Sequence, residues 1–192
     1  MLKCDVCGKA TGLLAALMRV SHVECATMPI LKQIDRGEFR SFDDQAEILL
    51  EHDEHCLAFV RGCEMADPDP ALAENEAPEA TLSSTPGLRP DGLVSQGIGL
   101  LHVTDRKICF MGHFNSRTIP LGKIVEVRNQ ADVLAVVAGD HRLTSYFILE
   151  SPRRVEITAA AVRKLTELAR TNQKPTVHLP PEQFPQFQYA SD

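Results

Sequence analysis

No uninterrupted apolar run in the 192 residues approaches the roughly 20 needed to cross a bilayer, which excludes a transmembrane helix. The first residues, Met1-Leu2-Lys3-Cys4-Asp5, lack the apolar core of a signal peptide, and neither end carries a lipidation motif. The chain is therefore expected in the cytoplasm. Cations are short as well: 20 Lys and Arg face 26 Asp and Glu, a net charge of -6 that argues against a general nucleic-acid coat. Six cysteines are too few for a dense disulfide framework in a chain of this length. Catalytic signatures are missing too, with no Gly-x-Ser-x-Gly elbow, phosphate loop or HExxH. His102, His113 and His141 have no evident nucleophile or metal partner in the sequence, so a non-enzymatic protein is expected. There is no internal repeat.

What is present divides unevenly. Residues 27–65 hold four cations against nine anions, whereas residues 93–171 hold eleven cations against seven anions. Between them, residues 66–92 carry five prolines, six acids and a single arginine, with little apolar content to offset the entropy of ordering. They read as an acidic, extended loop. The end of the chain, residues 172–192, holds Pro175, Pro180, Pro181 and Pro185 among glutamines and reads as a polyproline-like tail, with Phe184, Phe187 and Tyr189 as its docking-competent residues.

The cysteines are spaced for metal rather than for disulfides. Cys4 and Cys7 form a CxxC followed by Gly8, which permits the tight turn of a zinc knuckle. Fourteen residues on, His22 and Cys25 repeat the spacing and complete a Cys3His set suited to one tetrahedral zinc ion. With all four positions filled the ion is structural, holding together a unit too small for a core of its own. The competing reading is a buried CxxC with an unrelated His and Cys. After Cys25, Thr27 is placed to cap a helix with Pro29 in its first turn, running to Gly37. Knuckle, loop and a second pair at a helix start resemble a treble-clef zinc finger, in particular the small CxxCGK finger at the N-terminus of many bacterial proteins. His22 departs from that family, which usually has a cysteine there. A second cluster, His52 to Cys56 with Cys63, is read instead as a turn followed by a buried strand, because a strand sends His55 and Cys56 to opposite faces.

Downstream, alternation and turn signals predict strands over 55–65, 98–103, 107–112, 117–121, 124–128, 133–137 and 143–149. Ser151-Pro152 then starts a helix whose apolar stripe is Val155, Ala159, Val162, Leu165 and Ala169. In the segment from Gly97 to Phe110, Thr104-Asp105-Arg106 marks the turn, and both Thr104 and Asp105 side chains are expected to accept bonds from its amides. That segment resembles the G-x-L-x-hydrophobic-T-D-x-R-hydrophobic-x-F signature of bacterial PH-like and GRAM domains. The stretch from Ile119 to Ile124 is similar to their I-P-L-x-K-I strand. The likeness covers residues 50–170. It departs in the order Arg106-Lys107 and in the acidic insertion between the first two strands.

The expected fold class is mainly β with α: a zinc finger over 1–37, then a seven-stranded PH-like barrel over 38–171, capped by a C-terminal helix and interrupted at 66–92. The resemblance implies docking on a protein or peptide, or on anionic lipid through Arg106, Lys107, Arg117, Lys123 and Arg128. Those five are equally readable as solvated charges at strand ends. The second alternative is a nucleic-acid-binding regulator acting through the finger, disfavoured because only Lys3, Lys9 and Arg19 lie near it.

Overall fold

Alternating faces make the sheet. In β-structure every second side chain turns inward, and Ile108 and Phe110 are fully buried while Met111 is exposed. The computed structural model describes residues 23–69, 92–139 and 143–179. In chain order the elements are α1 (Val23–Asp35), β1 (Glu38–Arg40), β2 (Cys56–Pro68), β3 (Leu93–Thr104), β4 (Lys107–Gly112), β5 (Ser116–Pro120), β6 (Ile124–Gln130), β7 (Val133–Ala138), β8 (Leu143–Ile148), α2 (Pro152–Arg170) and β9 (Thr176–His178). Seven strands form one antiparallel sheet in the order β5-β4-β3-β2-β8-β7-β6, and β1 pairs with β9 in a separate two-stranded sheet. The seven match the strands that the alternation predicts.

One core packs between the sheet and the helices. Leu101, Val103, Ile108, Phe110, Leu134 and Phe147 are each fully buried there, and the Phe110 and Phe147 rings lie 6.2 Å apart. Burying a side chain of this size contributes about 1.5–3 kcal/mol. Helix α2 closes the core with Val155, Ala159, Val162 and Leu165. Ser151 caps its start by accepting from the Arg154 amide at 3.4 Å, with Pro152 as first helical residue, as the sequence predicts. At the other end the stripe turns: Leu168 is buried and Ala169 exposed, because a 3.6-residue period drifts away from strict four-residue spacing.

Strand β6 ends the sheet, and α2 covers its outer edge. Arg163 donates to the Val127 carbonyl at 3.2 Å and also bonds the Asn129 side chain. Arg170 donates to the Ile124 carbonyl at 2.7 Å and to the Val125 carbonyl at 3.2 Å. Side-chain donors thus occupy positions that another strand would take.

Three expectations need correction. First, α1 already covers Val23, so Thr27 is not its cap; Thr27 is buried within it, and Pro29 sits in its interior. Lacking an N–H, Pro29 leaves the Cys25 carbonyl without its intrahelical donor. The helix ends at Asp35, the chain turns at Gly37, whose φ of +75° suits glycine, and Ile34 joins the core. Second, β2 runs into the acidic segment and β3 starts at its far border, earlier than the expected residue 98: Ala66, Asp67 and Pro68 pair with Ser95, Val94 and Leu93. Ala66 and Leu93 are buried, so apolar contact extends the hairpin beyond the sequence boundary. Residues 70–91, and the extended-loop reading of them, lie outside the described residues. Third, part of the tail is strand β9, because Val177 packs on the core beside Phe39 of β1. Residues 180–192 lie outside the description.

Candidate functional site

Four consecutive residues of β2, 57–60, line one groove of about 400 Å³. Neighbouring residues on a strand face opposite ways, so a single groove meets all four only where it runs along the strand's edge. Three consecutive residues of β1, Glu38, Phe39 and Arg40, line the other side, followed by Phe42. Apolar side chains of both helices, among them Ile30, Ile34, Ile157 and Ala161, complete the walls.

Both bordering edges lack a strand among the described residues. β2 pairs with β8 only over residues 64–66, which leaves its first half unpaired on the side away from β3. β1 pairs only with β9. That ladder uses the Gly37 carbonyl and the Ser41 amide, so Glu38 and Arg40, one residue out of phase, aim their peptide groups the other way. At one end the two sides converge, where the Phe42 amide donates to the Cys56 carbonyl at 2.7 Å. The Arg40 guanidinium lies 5.8 Å from the Phe42 ring centre, and Arg154 pairs with Glu150 at 2.8 Å on the exposed rim.

A polar bracket holds this end of β2. The Asp43 carboxylate accepts from the Cys56 amide at 2.6 Å and meets His55 Nδ1 at 2.7 Å. Burial works to raise the Asp43 pKa, but the bonds from His55, Cys56 and Ser41 outweigh it and the net direction is down. Glu54 is buried and accepts from the Thr104 hydroxyl at 2.7 Å, Lys107 Nζ at 3.0 Å and the Glu51 amide at 2.9 Å. Thr104 Oγ1 also accepts from the Arg106 and Lys107 amides, as its place in the turn predicts. Asp105 differs from the expectation: its carboxylate accepts from the His55 amide, tying the turn to the strand beneath instead of to itself. His102 is fully buried against Phe59, accepts from the Glu47 amide at 3.3 Å through Nε2, and has its pKa held down by burial.

Of the predicted zinc ligands, Cys4, Cys7 and His22 lie outside the described residues, as does the Cys25 side chain; the Cys25 backbone falls in the first turn of α1. Among the described residues no group of three or more His, Cys, Asp or Glu is arranged to hold a metal. Cys56 and Cys63 are buried small side chains whose thiols burial pushes up to about 12, far from thiolate chemistry at neutral pH.

The five predicted ligand cations are distributed over the fold. Arg106 and Lys107 share the β3–β4 turn, Arg117 lies on β5, Lys123 precedes β6, and Arg128 lies on β6. Arg106 bonds Glu51 at 2.8 Å and Lys107 bonds Glu54. Arg117 Nη2 meets Asp67 Oδ2 at 2.7 Å and Nη1 bonds Ser145 at 2.9 Å, while Arg128 grips Glu126 at 2.7 Å. The groove is the feature that sequence reasoning missed. Glu38-Phe39-Arg40 is too short to show a period of two, and Ile157 and Ala161 merely flank the predicted helical stripe.

No helix among the described residues is long and apolar enough to cross a membrane. No family model matches the chain, and no curated protein matches it. Among solved structures the chain is similar to the Ran-binding domain of the nuclear complex component Nup2 from Ashbya gossypii. That likeness has a TM-score of 0.43 and 10% sequence identity, over 60% of this chain and 97% of the other.

Proposed function

We propose that the chain is a non-enzymatic, zinc-binding cytoplasmic adaptor whose PH-like, GRAM-like barrel takes an extended segment of a partner protein into the groove between β1 and β2. One observation carries this reading: two unpaired strand edges border the same apolar groove. An extended segment laid there finds backbone partners along its length and apolar walls for its side chains. Seven antiparallel strands, a closing helix and the Thr104 turn support the PH-like reading. The carboxylates on Arg106, Lys107, Arg117 and Arg128 compete with any phosphate for those cations, so protein is favoured over anionic lipid as the ligand.

Peptides selected from a random display library on the full chain test the reading. They are expected to lose at least tenfold in affinity for Ala58→Glu, which sets a charge in the groove, in protein whose far-UV circular dichroism is unchanged. Selected peptides that bind Ala58→Glu as tightly as the parent chain would remove the groove from the proposal.

Zinc belongs to the same reading. Support comes from α1, which carries the Cys25 backbone on its first described turn, three residues after His22 in the sequence. Native mass spectrometry of protein purified without added metal is expected to show one zinc per chain, lost in Cys4→Ser or Cys25→Ser. Metal-free mass from freshly reduced wild-type protein would refute the finger.

A further inference from the structure

The two sides of the groove run in opposite directions. They converge where the Phe42 amide meets the Cys56 carbonyl; β1 arrives there from Glu38 through Arg40, and β2 departs through residues 57–60. A segment laid between them is therefore antiparallel to one side and parallel to the other. Antiparallel pairing is the more stable per residue, and β2 offers the longer border, four residues against three. A guest antiparallel to β2 heads for Phe42 and runs parallel to β1, which already has a parallel neighbour in β9.

The charges on β1 give that direction a sequence. Glu38 and Arg40 are two apart and share one face, while Phe39 turns the other way into the core beside Ile34. Arg40 rests on the Phe42 ring, and neither it nor Glu38 makes an ion pair among the described residues. Arg154, the other charged residue of the lining, is already held by Glu150 and adds no net sign. The groove thus presents a negative charge toward its open end and a positive one toward its closed end.

We infer that the partner segment carries a basic, an apolar and an acidic residue in that order along its chain, the base beside Glu38 and the acid beside Arg40. The inference rests on the proposed reading of the groove as a site for extended segments and names the chemistry of what it takes. Neighbouring strands lie about 4.8 Å apart, and residues side by side share a face. The base and the acid then lie on the face of Glu38 and Arg40, and the apolar residue between them turns with Phe39 toward Ile30, Ile34 and Ile157. The reverse order sets like charges beside each other.

Display selection on the full chain reads the pattern directly. Peptides whose binding is lost in Ala58→Glu are expected to hold Lys or Arg two residues ahead of Asp or Glu more often than the reverse. Exchanging the two charges within one such peptide is expected to weaken its binding to the unaltered chain about tenfold, because two attractive neighbours become repulsive. The chain carrying Glu38→Lys and Arg40→Glu together is expected to reverse the preference and bind the exchanged peptide more tightly, a gain that misfolding does not produce. Groove-dependent peptides with no charge order, or with the acid first, overturn the inference and leave the groove reading standing. So does an exchange that costs nothing, or a preference that the paired substitution leaves unreversed in protein with unchanged far-UV circular dichroism. If no selected peptide is sensitive to Ala58→Glu, both readings fall together.

Discussion

Gly99→Ala is expected to destabilise the protein by about 3 kcal/mol, the upper part of the range for overpacking a tight site. Gly99 pairs with Gly112 where β3 and β4 approach most closely. A Cβ at Gly99 would run into the Met111 carbonyl and the Gly112 Cα, which are backbone atoms and have no rotamer to change. Relief requires the strands to part, and the next pairs in the ladder are Leu100 with Met111 and Leu101 with Phe110, the latter both fully buried. Gly122→Ala is the control, because a Cβ there has open space. Urea unfolding of the two variants decides the point. A Gly99→Ala midpoint equal to that of Gly122→Ala would mean that β3 and β4 do not approach as described.

Glu54→Ala carries the second large effect, about 2–4 kcal/mol. Removing one partner of a buried ion pair typically costs about 3–5 kcal/mol, and the range is lowered here because Lys107 keeps some contact with water. The side chain of Glu54 is 0% exposed and that of Lys107 20%. Loss of the carboxylate strands the Glu51 amide, leaves the Lys107 ammonium only the Glu51 carboxylate at 3.8 Å, and leaves the Thr104 hydroxyl only the Lys107 carbonyl at 3.1 Å. Acid should do the same by titration. Burial alone would raise the Glu54 pKa, but bonds from Glu51, Thr104 and Lys107 prevail and hold it below its ordinary 4.5. The unfolded chain therefore takes up its proton first. Stability from this group is complete above 4.5 and drains away as pH falls from there through the folded value. Glu54→Gln is expected to flatten that part of the stability profile, read by thermal unfolding between pH 6 and roughly 3. An unchanged slope would place the acid sensitivity elsewhere, Asp43 being the other carboxylate among the described residues whose pKa is lowered.

How much of this was legible in the sequence follows from the range of each interaction. Ile108 with Phe110, and Val133 to Val137 between turns, declare themselves because strand patterning is local, and so does the Ser151-Pro152 helix start. Glu54 did not. Its partners Thr104 and Lys107 are 50 and 53 residues away, and a carboxylate beside Asp53 and His55 looks like part of a solvated turn. Asp105 misled for the same reason, since the amide it serves belongs to His55, 50 residues back. The groove was illegible at a further level, because an unpaired strand edge is defined by which strands fail to pair, a property of topology that no local pattern records. β9 shows the limit of composition: three residues in a proline-rich setting pair with β1 because Val177 finds the core.

The bonds from Arg163 and Arg170 to β6 give the protein an age-dependent weakness. Arg163 follows Val127 by 36 residues. At about 5–20 residues per second, synthesis delivers the strand some 2–7 s before the first of its guards. During that interval β6 presents bare carbonyls and an exposed Val125 to whatever lies nearby, including the same strand on a neighbouring nascent chain. The hazard belongs to youth: chains interrupted between β8 and the end of α2 are the adhesive species, and completing the helix is what makes each molecule indifferent to its siblings.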